Sequence, residues 1–198
     1  MLQNYYHKNK LEAGCDEAGR GCYAGAVFAA AVILPKNFNH PLLNDSKQVK
    51  EKDRLLLRDY IIKKAKCYSI ASVNSIEIDE TNILKASIKA MHLAIDGLKI
   101  KPNFLLIDGN KFYPYKKIDH ECIIKGDEKF ASIAAASILA KTSRDEYMKT
   151  LHSEFPMYGW DNNKGYGTLQ HRKAIEQFGL TIYHRKSFNI TPNQLKLF

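Results

Sequence analysis

The chain has 198 residues, of which 45% are hydrophobic, and a formal charge of +9; that length buries one good core, and the basic excess suits a polyanionic partner. The excess is even, +4 over residues 1–99 and +5 over residues 100–198, which excludes a separate basic arm. No apolar run approaches the roughly 20 residues of a membrane span, residues 1–7 lack the apolar core of a signal peptide, and Cys15, Cys22, Cys67 and Cys122 show no C-x-x-C spacing, so a cytoplasmic protein with reduced thiols and no membrane partner is expected.

Residues 10–16 read as a strand and residues 25–34 as the next, so Asp16 and Glu17 lie at a strand end beside the turn Gly19-Arg20-Gly21. Neighbouring strand residues point to opposite faces, so the two carboxylates do not simply pair with one another. A divalent cation shared with other carboxylates would compensate them. A solvated acidic loop is the competing reading of the dipeptide alone. A dinucleotide-binding loop over Gly19, Gly21 and Gly25 would need a helix to follow, and an apolar β-rich run follows instead.

The helix predicted over 50–65 interleaves Leu55, Leu56, Ile61 and Ile62 with Lys52, Arg54, Arg58 and Lys63. A strand over 66–74 and a helix over 81–99 come next. The apolar run Phe104 to Ile107 makes a buried strand over 103–108 that ends in Asp108-Gly109-Asn110, a third carboxylate beside a turn glycine. A strand over 121–125 leads to Asp127, placed where the N-cap of a helix over 128–149 belongs. That helix carries Phe130, Ile133, Ala134 and Ile138 on one stripe, with enough small residues to approach a sheet closely. A last helix spans 168–178. His171 and His184, each followed by arginine, read as surface or phosphate-facing groups. The pattern is α/β and leaves strand order open.

The segments Asp16-Glu17-Ala18-Gly19-Arg20-Gly21, Asn44-Asp45-Ser46-Lys47, Leu106-Ile107-Asp108-Gly109-Asn110, Lys125-Gly126-Asp127, Ala135 to Lys141 and Lys164-Gly165-Tyr166-Gly167-Thr168 occur in one order along the chain. In this the chain closely resembles the ribonuclease HII family, the bacterial type 2 ribonucleases H. Cys22 and Ala26 stand where that family commonly has proline, a departure that bears on the stiffness of the turn. The resemblance implies a ribonuclease H-like fold, a mixed five-stranded sheet flanked by helices with a helical C-terminal portion, in one catalytic domain over residues 1–190. It also implies Asp16, Glu17, Asp108 and Asp127 as catalytic metal ligands, with Asp145 as the competitor for the place of Asp127. Oxygen-rich sites favour Mg²⁺ or Mn²⁺, and two ions are expected with substrate bound.

The implied activity is hydrolysis of the RNA strand of RNA/DNA hybrids and cleavage 5′ to ribonucleotides embedded in duplex DNA, leaving 3′-hydroxyl and 5′-phosphate ends. Gly19, Arg20, Gly21 and Tyr166 are the expected ribose-sensing group, because the 2′-hydroxyl is what marks a ribonucleotide and glycine lets backbone approach a sugar. Ser46, Lys47, Arg144 and Lys164 are candidate phosphate contacts. In residues 191–198, Gln194, Leu195, Leu197 and Phe198 resemble the peptide that docks on the bacterial sliding clamp. A monomer is expected. A DNA junction nuclease would have the carboxylates without a 2′-hydroxyl sensor, and a non-catalytic nucleic-acid binder would lack a carboxylate cluster that repels phosphate.

Overall fold

The computed structural model describes residues 2–43 and 49–190. Strands β1 (Glu12–Ala18) and β2 (Val27–Ile33) are followed by helix α1 (Glu51–Lys64), strand β3 (Cys67–Val73) and helices α2 (Ser75–Glu80) and α3 (Ile83–Asp96). Strands β4 (Phe104–Asp108) and β5 (Asp119–Ile123) come next, then helices α4 (Ala131–Glu154), α5 (Trp160–Asn163) and α6 (Leu169–Phe178). The five strands form one sheet in the order β3-β2-β1-β4-β5. Strand β2 is antiparallel to both β1 and β3, whereas β1, β4 and β5 run parallel. The sheet is mixed and helix-flanked, as expected.

Period-two alternation assigns each strand residue to a layer. Ala13, Cys15, Ala29, Ala31, Ile33, Leu105 and Ile107 pack on the α3 side with Ala90, Met91, Ala94 and Ile95. Ala18, Ala30 and Val32 pack on the other side with Leu57 and Ile61 of α1 and the alanine-rich face of α4. Each fully buried Leu or Ile side chain contributes about 1.5–3 kcal/mol. The small residues of α4 serve the close approach anticipated for them: a Cβ added to Gly14 of β1 would come within 2.5 Å of the Ser132 carbonyl oxygen. Helix and strand therefore meet backbone to backbone, which only glycine permits.

Several elements depart from the sequence pattern. Helix α2 is an extra one-and-a-half turns, capped by the Asn74 side chain accepting from the Glu77 N–H. Asn82 caps α3 in the same way at Lys85, so the helix expected over 81–99 begins at Ile83, after the extra helix. Asp127 is not the cap of α4. Lys125 takes a left-handed φ of 55°, residues Gly126–Glu128 form a short 3₁₀ turn, and Phe130 occupies the N-cap position with no side-chain cap bond. In α1 the buried residues are Leu57 and Ile61, while Leu55, Leu56 and Ile62 are exposed. The apolar stripe is thus narrower than the sequence predicts, with Leu57 and Ile61 carrying the burial of α1 in the cluster shared with α4.

The C-terminal portion is helical, as expected. Trp160 is fully buried, stacked on Tyr158 at 4.9 Å between ring centroids, and surrounded by Met148, Leu151, Ile175 and Ile190. This second core holds α5, α6 and residues 181–190 against the end of α4 and the Tyr23–Ala24 loop.

Candidate active site

Parallel pairing of β1 and β4 brings two strand C-termini side by side, the usual place for a ligand in an α/β sheet. The register pairs Cys15 with Ile107, and the next rung puts Asp16 beside Asp108. Asp16 points to the α4 face and Glu17 to the α3 face, so the two adjacent acids reach the cleft from opposite sides of the sheet. Asp16, Glu17, Ala18, Gly19, Arg20, Gly21, Asp108, Ser137, Lys141, Arg144 and Tyr166 line a cleft of about 360 Å³. The structure thus brings together three of the four predicted carboxylates, the predicted glycine-arginine turn and the predicted tyrosine.

The acids strain against each other. Burial, followed by the charges of Glu17 and Asp108, pushes the Asp16 carboxyl well above the usual range, opposed by a hydrogen bond from Ser137 and by the Glu17 N–H at 2.7 Å. Burial also raises Glu17; Arg20, whose Nη1 lies 3.1 Å from Glu17 Oε1, opposes it, and Asp108 adds to it. Asp108 Oδ1 accepts the Gly126 N–H at 2.7 Å. Asp127, next along and 6% exposed, stands in the turn beside Asp108 and not on the cleft wall. Buried oxygen donors that repel one another fit a hard divalent cation, which would remove the repulsion. Asp16, Glu17 and Asp108 are the residues placed to hold one. As they stand among the described residues, no three metal-ligating side chains close into a coordination shell.

Asp145 is engaged elsewhere, bridged to Lys141 at 2.6 Å on α4 and absent from the cleft wall. Gly19 has φ +98° and its Cα faces the Arg144 guanidinium, whose Cζ would lie 2.8 Å from an added Cβ. Tyr166 remains 43% exposed, and its backbone bridges Cys22 in a short antiparallel contact. Burial pushes its phenol up, with Cys22 nearby.

Arg144, a candidate phosphate contact, lines the same cleft. It is fully buried, and its guanidinium donates to the Ala26, Lys164 and Ala24 carbonyls at 3.2, 2.9 and 3.2 Å. Lys164 is 9% exposed, with Nζ donating to the Asp161 carbonyl, and burial lowers its pKa. Of the two, Arg144 forms part of the cleft wall, and the Lys164 carbonyl accepts from it. His171 and His184 are likewise not at the surface; they are 0% and 1% exposed and hydrogen-bonded to each other. Sequence reasoning missed Arg185, also fully buried, which donates to the Gly25 carbonyl at 3.0 and 2.9 Å and to the Arg20 carbonyl at 2.8 Å. It missed Ser137 and Lys141 as well, for which the helical spacing from Ile133 and Ile138 was the available signal. Ser46, Lys47, Gln194, Leu195, Leu197 and Phe198 lie outside the described residues.

Among the described residues no helix is long and apolar enough to cross a membrane. The chain is similar to the solved structure of ribonuclease H2 from Pyrococcus horikoshii, with a TM-score of 0.76 and 24% identity over 90% of this chain and 94% of that one. It is similar to the structure of the PCNA:RNase HII complex from Archaeoglobus fulgidus, with a TM-score of 0.77 and 24% identity over 95% of this chain and all of that one. Bst-RNase HIII, solved in complex with Mn²⁺, gives a TM-score of 0.66 at 16% identity, over 91% of this chain and 67% of that one. These similarities show the shared fold. In sequence, the chain is 58% identical to ribonuclease HII of Bacteroides thetaiotaomicron over 96% of this chain and 95% of that protein. It is 57% identical to ribonuclease HII of Parabacteroides distasonis over 100% and 99%. The model of the ribonuclease HII family matches residues 13–191, and the chain belongs to that family.

Proposed function

We infer that the chain is a type 2 ribonuclease H, an endoribonuclease that hydrolyses the RNA strand of RNA/DNA hybrids and cuts 5′ to ribonucleotides embedded in duplex DNA, leaving 3′-hydroxyl and 5′-phosphate ends. The observation that carries the reading is one cleft lined by Asp16, Glu17, Asp108, the Gly19-Arg20-Gly21 turn and Tyr166. A junction nuclease has no use for the last two.

Asp16, Glu17 and Asp108 would hold the divalent ions, Mg²⁺ or Mn²⁺, with Asp127 joining from its turn. Two such ions supply a water of lowered pKa and neutralise charge on the phosphoryl group when bound. Arg20 holds Glu17 in place through its 3.1 Å contact, and Ser137 does the same for Asp16. The turn glycines let backbone groups approach the ribose, where a 2′-hydroxyl offers both a donor and an acceptor. The Tyr166 ring stands across the cleft to pack on the deoxyribose that follows, which favours DNA on the 3′ side. Ser46 and Lys47 are proposed phosphate contacts.

The protein would work in the cytoplasm as a monomer, in ribonucleotide and primer removal from DNA, with residues 1–190 as one catalytic domain. Gln194, Leu195, Leu197 and Phe198 would dock on the sliding clamp; the archaeal relative solved with PCNA supports a clamp partner. Deleting residues 194–198 should abolish clamp binding in a calorimetric titration and leave cleavage of a short duplex unchanged. The activity itself is tested on a DNA duplex holding one ribonucleotide, with Mg²⁺, with Mn²⁺ and with chelator. A single cut 5′ to the ribonucleotide, dependent on the ion, is expected; no cut with either ion, or equal cutting of all-DNA duplex, would refute the reading.

A further inference from the structure

The two histidines buried behind Tyr166 are bonded in a way that fixes every proton. His171 Nδ1 lies 2.9 Å from the Tyr166 carbonyl oxygen, which only accepts, so Nδ1 carries the hydrogen. At the other ring nitrogen, Trp160 Nε1 donates to His171 Nε2 at 3.0 Å. The indole only donates, so this Nε2 is bare. His184 Nδ1 accepts from the Thr181 N–H at 2.9 Å and lies 3.0 Å from Thr181 Oγ1. That nitrogen is therefore bare too, and the hydrogen of His184 sits on Nε2, pointing at His171 Nε2 at 3.2 Å. The two rings are opposite tautomers, and both are neutral.

The chain of bonds runs from Thr181 through His184 and His171 to Tyr166. We propose that His171 and His184 are positioning residues for ribonucleotide selection, an ordered relay that clamps the backbone of Tyr166 and so aims its ring at the sugar. A second proton on either ring would face a donor hydrogen already in place, so the arrangement has one stable protonation state. Burial lowers the pKa of both rings, in keeping with this. The Tyr166 carbonyl accepts also from Thr168 N–H at 2.8 Å, and Thr168 caps α6 by accepting from His171 N–H. The loop carrying the tyrosine and the helix carrying the histidine are thus tied at both ends.

The proposal rests on Tyr166 facing the ribose, and its test separates the two. An Asn side-chain nitrogen overlays the Nδ1 position of histidine, and a Gln side-chain nitrogen overlays Nε2. His171→Asn therefore keeps the donor to Tyr166, while His171→Gln leaves that carbonyl with one bond fewer. Steady-state kcat/KM is measured on a duplex with a single ribonucleotide and on an all-RNA/DNA hybrid, for wild type, both variants and Tyr166→Ala. The ratio of the two substrates should fall roughly five- to tenfold in His171→Gln, the worth of one lost hydrogen bond, and should be retained in His171→Asn. Equal ratios in the two variants would overturn the proposal. A ratio unmoved by Tyr166→Ala would instead overturn the ribose-facing reading. On the wild-type protein, ¹⁵N NMR of the imidazoles at neutral pH should show Nδ1–H on His171 and Nε2–H on His184. A charged ring, or the same tautomer on both, would refute the relay even if the variants fail to fold.

Discussion

Gly14→Ala is a single-methyl change with a calculable consequence. The added Cβ would stand 2.5 Å from the Ser132 carbonyl oxygen, with the Ser132 carbonyl carbon and Ile133 nitrogen closer still. The nearest of these, the Ser132 carbonyl carbon, would stand at 2.2 Å and ordinary contact begins near 3.4 Å, so the first turn of α4 has to retreat from β1 by at least about 1.2 Å, given interiors packed to crystal density. All three obstructing atoms are backbone, so no rotamer change relieves the clash. Overpacking of this kind costs about 1–3 kcal/mol, which for a chain of this size lowers Tm by roughly 2–12 °C. The retreat also draws Ser137 away from Asp16, two residues along the same strand face. Thermal unfolding followed by circular dichroism, paired with cleavage of a ribonucleotide-bearing duplex at 25 °C, should show lower Tm and reduced kcat together. A variant with wild-type Tm would show that α4 and β1 do not meet backbone to backbone.

Gly21→Ala makes the opposite case: no atom lies within 4 Å of its added Cβ, so Tm should stay within the small range of surface substitutions, about 0.5 kcal/mol. Its methyl would nevertheless face the incoming sugar, and kcat/KM at a single ribonucleotide should fall at least about tenfold; unchanged kinetics would remove Gly21 from the ribose contact. Asp16→Asn should reduce cleavage by about a hundredfold or more while gel-shift affinity for hybrid in chelator holds or improves, and near-normal turnover would sink its role as a metal ligand. Acid titration of stability should report on His184, whose pKa is depressed by burial to about 4. A base held neutral in the folded state favours folding fully above its unfolded pKa of about 6.5, and that contribution, up to about 3 kcal/mol, is lost as pH falls from there through about 4. Denaturant midpoints for wild type and His184→Phe that fall in parallel over this window would count against a buried neutral ring.

What the sequence made legible is what local periodicity encodes. The apolar runs ending at Asp16 and Asp108 announce buried strands with acids at their ends, and parallel pairing of two such strands necessarily gathers those acids. The tyrosine and glycine-arginine turn were legible only through the resemblance of their motifs to those of the ribonuclease HII family, and the structure brings both to the cleft. Strand order was not readable, because pairing partners are far apart in the chain. Asp127 was misplaced as a cap because a left-handed Lys125 and a 3₁₀ turn separate it from α4, and neither leaves a pattern. Arg144 and Lys164 were read as candidate phosphate contacts, and residue type does not reveal that each also donates to a backbone carbonyl. Arg185 was missed because its partner Arg20 lies 165 residues away, beyond any periodic signal, and His171 and His184 were misread because residue type alone does not tell a buried, paired imidazole from an exposed one.

The bonds from Arg185 to the Gly25 and Arg20 carbonyls also impose an order in time. Synthesis runs from the N-terminus, so the strands and the acids on them emerge long before residue 185. Sheet and α4 carry Asp16, Asp108 and Ser137 on segments made before the brace of the Gly19-Arg20-Gly21 turn. The bonds that brace the Arg20 turn must await the arrival of residue 185. Asp16 and Asp108 are thus supplied to the growing chain before Arg185, the side chain that braces the turn beside them.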